Sequence, residues 1–161
     1  MSSSAAQALR IAREQLAAQK ADLIALRSQA IISATISGLI MNGFILILSG
    51  VGGFDRDFEW GAVSISAIIA ILLLSTSVGL AIRVAAGFRT FTFDQSANWI
   101  IEKSENYSEK KIDESLAIEA EEFFDRNESG IANIQGVLSL SLISGWAQIP
   151  FWLIAIYGSL K

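Results

Sequence analysis

The chain has 161 residues, 52% of them hydrophobic and only 17% charged, with a formal net charge of −4. It contains no cysteine and no histidine, which excludes disulfides, thiolate nucleophiles, Cys/His zinc sites and haem ligation by histidine. The charges are clustered. Segments 28–54, 61–82 and 129–160 carry none, and each exceeds the roughly 20 residues a helix needs to cross about 30 Å of hydrocarbon. The expected fold class is an all-α integral membrane protein with three transmembrane helices.

The opening residues, MSSSAAQALRIAREQ, do not have the pattern of a cleaved signal peptide, because a charged amphipathic stretch precedes the first apolar run. Ser2 stands where N-myristoylation needs glycine. The first span is therefore expected to be its own uncleaved insertion signal. Residues 1–29 form a predicted cytosolic amphipathic helix, rich in Ala, Leu, Gln, Arg and Lys and free of Gly and Pro. Leu9, Ala12, Leu16, Leu23 and Leu26 fall on heptad a/d positions, broken by Gln19. The leucines Leu9, Leu16, Leu23 and Leu26 mark the segment as a candidate oligomerisation helix. No breaker separates it from the first span, so one long N-terminal helix continuous with span 1 is predicted from about residue 5 to residue 49.

Span 1 covers 30–49. Ala30, Ala34, Gly38 and Asn42 recur every four residues, a small-residue ridge that lets another helix approach closely. Residues 50–61, GVGGFDRDFEWG, form an expected external loop with Trp60 at an interfacial position. Its glycines are not a phosphate loop, since no strand precedes them and no lysine follows. Span 2 covers 62–82, with Ala67, Ser75 and Gly79 as its expected packing side. Arg83 and Arg89 follow it as interfacial residues.

Residues 83–132 form an expected cytosolic helical segment between spans 2 and 3. It is acidic: positions 94–128 hold eleven Asp/Glu and four Lys/Arg. Two helices fit, one near 95–105 with Trp99 and Ile100 inward, the other near 109–127. Ile112, Leu116, Ala120 and Phe123 share a face of the second, and Ser108 is its predicted N-cap. Gly130 is read as a bend. Span 3 covers 133–158, and 159–161 is an external tail.

Ser141, Ser144, Gly145 and Gln148 follow i, i+3, i+4, i+7 spacing and share one helix face. Trp146, Phe151, Trp152 and Leu153 are read as lipid-facing, and Pro150 as a place where the helix can kink. An amide facing lipid is costly, so Gln148 should face protein or water. Asn42 lies at a similar depth in span 1 and is its candidate partner, within one chain or across an oligomer interface. With Ser33, Ser37, Gly38, Ser141, Ser144 and Gly145 the two amides define a candidate polar seam, either packing glue or a path that opens.

The surplus of Lys/Arg on 1–29 and just after span 2 places the N-terminus in the cytoplasm and the C-terminus outside, in an inner membrane of bacterial type. Arg10 and Arg13 are candidates for contact with headgroups or with the acidic helices. Glu119, Glu121, Glu122 and Asp125 fit no metal pattern and are read as a solvated face. The sequons at Asn106 and Asn127 carry no glycan on a cytoplasmic segment. No cofactor and no nucleic-acid partner are expected. The expected partners are the lipid bilayer and either further copies of the chain or another membrane protein.

The order of features, from "ADLIALRSQAIISATISGLI" entering span 1 to "EEFFDRNESGIANIQGVLSLSLI" entering span 3, resembles the small multi-span membrane effectors of bacterial anti-phage signalling, of Pycsar and SLATT type. The resemblance is one of layout. It implies an oligomer that perturbs the inner membrane when a nucleotide signal or infection activates it. The chain departs from that layout in lacking a recognisable nucleotide-sensing domain, and no binding residue carries over. The expected function is a non-enzymatic oligomeric membrane protein, membrane-perturbing or channel-like, with a structural or accessory subunit of a larger membrane complex as the alternative.

Overall fold

The computed structural model describes residues 4–50, 62–94, 97–104 and 107–159. They form four helices: α1 (Ser4–Gly50), α2 (Ala62–Ala86), α3 (Ala97–Ser104) and α4 (Glu109–Ser159). No strand occurs among the described residues. Three of the helices, α1, α2 and α4, are long and apolar enough to cross a membrane. The expected loop 50–61, including Trp60, lies outside the described residues except for Gly50, the last residue of α1.

α1 is one unbroken helix of 47 residues, as its lack of any breaker up to residue 37 dictates. α2 continues past the expected end at 82 to Ala86. It stops at Gly87, whose φ of +70° places it in the left-handed region that glycine adopts without a Cβ penalty. α4 corrects the sequence reading. The helix expected near 109–127 and span 3 are a single helix of 51 residues that passes through both Gly130 and Pro150. Gly130 is no bend. A Cβ there would lie 2.7 Å from the Phe91 ring, so its glycine makes room for a neighbour and leaves the helix intact. Ser108 occupies the N-cap position, its carbonyl accepting from Lys111 N (2.9 Å) and Ile112 N (3.1 Å).

The chain divides into two compact units. The first comprises residues 1–25 and 89–134, the second 26–88 and 135–161. In the first, Ala12 and Leu16 of α1 pack on Ala120 of α4, flanked by Phe93, Phe123 and Phe124. Leu9, Leu16 and Leu23 are buried within the chain, with Leu26 half-buried at the start of the second unit. The proposed oligomerisation stripe is thus an intrachain packing face. Gln19 does not break it. Gln19 is itself buried at the next seam position, and its Nε2 donates to Phe124 O at 3.0 Å.

Residues 88–94 form no regular element, and Asn127 clamps Thr92 among them. Its Nδ2 donates to Thr92 O (2.8 Å) and its Oδ1 accepts from Thr92 N (3.4 Å). Phe91 and Phe93 stack, with ring centroids 6.1 Å apart. Ile100 of α3 is half-buried, whereas the side chain of Trp99 lies outside the described residues. Glu121, Glu122 and Asp125 are exposed, with Glu122 paired to Arg126 at 2.6 Å, but Glu119 is half-buried. Arg10 pairs with Glu14 on its own helix rather than with an acidic helix.

In the second unit α1 and α4 run parallel and α2 antiparallel to both. Leu48 meets Ala70 and Trp152 near one end, Ser37 meets Ser77 and Ser77 meets Ser141 in the middle, and Arg27 meets Gly87 near the other. The exposed surface of this unit is apolar, with Leu39, Leu46, Leu72 and Ile143 all more than half exposed.

Candidate functional site

A group of polar residues of the second unit is buried: Ser33, Ser37, Ser66, Ser77, Ser141, Ser144 and Gln148. Ser77 of α2 is fully buried, and its Oγ donates to Ser141 O at 2.8 Å while Ser141 Oγ donates back to Ser77 O at 2.8 Å. Each hydroxyl thus bonds the backbone of the other helix. Ser37 Oγ of α1 lies 3.2 Å from Ser77 Oγ. A hydroxyl has one proton, and that of Ser77 is committed to Ser141 O, so Ser37 is the donor. Gly145 makes this approach possible. A Cβ there would sit 2.9 Å from Ser37 Oγ and 3.1 Å from Ser77 Oγ. Three helices thereby meet at one point through three hydroxyls and one absent side chain.

Gln148 is also fully buried, but its partners are on its own helix. Its Nε2 donates to Gly145 O at 2.9 Å, and its Oε1 accepts from Trp152 Nε1 at 3.4 Å. Trp152 is buried, against the lipid-facing expectation, and stacks on Phe44 of α1 with centroids 5.7 Å apart and planes 9° from parallel. A buried indole needs an acceptor for its N–H. Gln148 supplies that acceptor, which gives the amide a structural reason to be there.

Asn42 is exposed, so the expected Asn42–Gln148 pair does not form within the chain. The ridge Ala30, Ala34, Gly38, Asn42 starts fully buried at Ala30 and ends exposed. The cause is geometric: at 3.6 residues per turn, a four-residue spacing drifts about 40° per step around the helix. The expected packing side of α2 fails for a related reason. Ser75 and Gly79 are exposed, and the buried stripe is Ser66, Ala70, Leu74, Ser77, Ala81 and Val84, spaced by three and four.

Of the sequence-predicted residues, Ser33, Ser37, Ser141, Ser144, Gly145 and Gln148 are buried, Gly38 is half-buried, and Asn42, Arg83 and Arg89 are exposed. Ser77, the centre of the cluster, was missed. Its signal is the 3.5-residue period of the α2 stripe, which small-residue counting overlooks. Exposed hydroxyls behave differently from buried ones. Thr35, Ser49, Ser75 and Thr76 each donate to the carbonyl four residues back in their own helix, at 2.8–3.0 Å.

The serine cluster contains only hydroxyls and backbone carbonyls, none of which takes up a proton near neutral pH. Such a cluster can fasten helices together and can come apart, but it has no base to activate a nucleophile. Among the described residues no group of His, Cys, Asp or Glu is placed to hold a metal ion. No family model, no curated protein and no solved structure matches the chain.

Proposed function

We propose that the chain is a non-enzymatic integral membrane protein that works as a homo-oligomer and perturbs or gates the bilayer, with its N-terminus cytoplasmic. The observation that carries the membrane reading is an inverted distribution of polarity. The apolar windows of α1, α2 and α4 have mean hydropathies of 2.1, 2.4 and 1.5, yet only 17%, 28% and 33% of each is buried by protein. Many Ile and Leu face outward, Ser33, Ser37, Ser77, Ser141, Ser144 and Gln148 face inward, and the outward Thr35, Ser75 and Thr76 bond their own helix. That arrangement suits hydrocarbon, where every polar group needs a partner within the protein.

Two observations support association of copies. Asn42 is exposed in an otherwise apolar stretch and has no side-chain partner among the described residues. A Cβ at neighbouring Gly38 or Gly43 would meet nothing within 4 Å. An amide in hydrocarbon favours a polar partner on a second helix. The serine cluster is closed by its hydrogen bonds, so conduction through one protomer requires α2 to separate from α1 and α4. The closed state also favours the alternative reading, an accessory subunit whose polar residues only hold its helices together.

The test is the mass of the particle in nanodiscs, followed by ion flux in reconstituted vesicles. A closed homo-oligomer with measurable flux supports the effector reading. A monomer, or a particle containing a second protein, supports the subunit.

A further inference from the structure

We propose that Arg27 and Arg83, at the C-terminal end of α2, bind the phosphate group of an anionic lipid headgroup. Arg27 is half-buried. Its guanidinium lies against Gly87, where a Cβ would fall 2.5 Å from Nη2 and 3.1 Å from Cζ. Glycine therefore both ends α2 and gives the guanidinium its seat. Arg83 belongs to the last turn of α2. It is exposed, with Cζ 5.8 Å from the ring centroid of Phe88, itself 72% exposed. Two cations and an outward aromatic ring thus share one helix end.

No negative partner for either arginine occurs among the described residues. Arg27 Nε is buried without an acceptor, and no ion pair among the described residues involves either arginine. The described residues of the second unit include no Asp or Glu. The helix ends that flank 51–61 are Gly50 and Ala62, about 35 Å along α1 from Arg27 and about 32 Å along α2 from Arg83 at 1.5 Å per residue. The α2 carbonyls offer Arg27 a partial negative charge, but a buried guanidinium donor left unpaired is costly. The planar fork of arginine matches phosphate oxygens. At the end of an apolar unit the phosphate in reach is that of a headgroup.

This inference rests on the membrane reading, and the experiment separates the two. Native mass spectrometry of the detergent-solubilised protein, titrated with phosphatidylglycerol or phosphatidylcholine, measures lipid retention. The expected result is a preference for phosphatidylglycerol that falls about fivefold for each of Arg27→Gln and Arg83→Gln. Arg27→Lys should recover only part of it, because the charge returns without the fork. Equal retention of both lipids, or an unchanged preference in Arg83→Gln, overturns the proposal; Arg83 is exposed, so that variant folds. Displacement of the lipid by millimolar inorganic phosphate would assign the pair to free phosphate and overturn the lipid assignment. Alkaline carbonate extraction of membranes distinguishes the failures. If wild type is released, the membrane reading falls and this proposal with it. If wild type is retained but shows no lipid preference, only this proposal falls.

Discussion

The two compact units are built from the same pair of long helices, α1 and α4, and solve the packing problem in opposite ways. In the first unit Ala12 and Leu16 pack on Ala120 and phenylalanines, Leu9, Leu23 and Leu116 are also buried, and charged residues such as Arg10, Lys20 and Glu122 are outside. In the second, Ser33, Ser37, Ser77, Ser141, Ser144 and Gln148 share the seam with apolar residues such as Ala30, Leu48, Ala70, Leu74 and Trp152, and many Ile and Leu lie outside. On the proposed membrane reading, water drives the first arrangement, since burying a leucine removes apolar surface from it. Where the exterior is itself apolar that drive vanishes, and close approach plus hydrogen bonds decide. The helical period stays near 3.5 residues through both units: the buried set of α1 runs Leu9, Ala12, Leu16, Gln19, Leu23, Ala30, Ser33, Ser37. What changes is the chemistry of the side chains on it.

The largest expected effect breaks the first unit. Leu16→Ala should destabilise it by about 2–5 kcal/mol, the usual range for a buried leucine. The control is Leu72→Ala in the second unit, where Leu72 is 61% exposed; its cost should stay within about 0.5 kcal/mol. Thermal unfolding in detergent checks both. Equal costs would mean that the leucine seam does not hold the first unit.

Gly145→Leu should come next, at about 1–3 kcal/mol for overpacking. Its first carbon already meets Ser37 Oγ at 2.9 Å and Ser77 Oγ at 3.1 Å. The polar groups themselves are worth less. Ser77→Ala removes the donor to Ser141 O and the acceptor for Ser37, yet interhelical hydrogen bonds in membranes average about 0.6 kcal/mol, with about 1.7 as the upper end. If Gly145→Leu proves milder than Ser77→Ala in the same melting assay, hydrogen bonding rather than close approach holds the second unit.

Much of this was legible in the sequence because charge-free runs and helix-forming composition are long-range signals. α1 was predicted to within one residue at each end. What escaped depended on rotation about a helix. Gln19 looked like a break in a leucine stripe, but one polar residue in a seam is tolerated when a backbone carbonyl, here Phe124 O, meets it. Trp152 looked lipid-facing because aromatic residues often are, whereas its N–H needed Gln148. Ser75 and Gly79 were chosen for size when Ser77 was on the correct arc. Gly130 was read as a bend, although glycine in a helix also marks where a ring such as Phe91 packs close.

The smallest expected effect tests the exposed amide that neither packing solution accounts for. Within one chain Gln148 is satisfied by Gly145 and Trp152 and Asn42 is exposed. Asn42→Leu and Gln148→Leu should therefore be additive in a monomeric detergent particle, to within about 0.5 kcal/mol. Asn42→Leu alone should barely move that melting temperature, since it alters only an exposed position. In an oligomeric particle the same substitution should weaken association, because the amide would lose a partner on the neighbouring copy. Mass measured at several protein-to-detergent ratios reads this directly. A shift toward monomer with unchanged monomer stability places Asn42 at an interface. An unchanged mass distribution leaves that amide facing lipid at a cost, and removes the main support for association through α1.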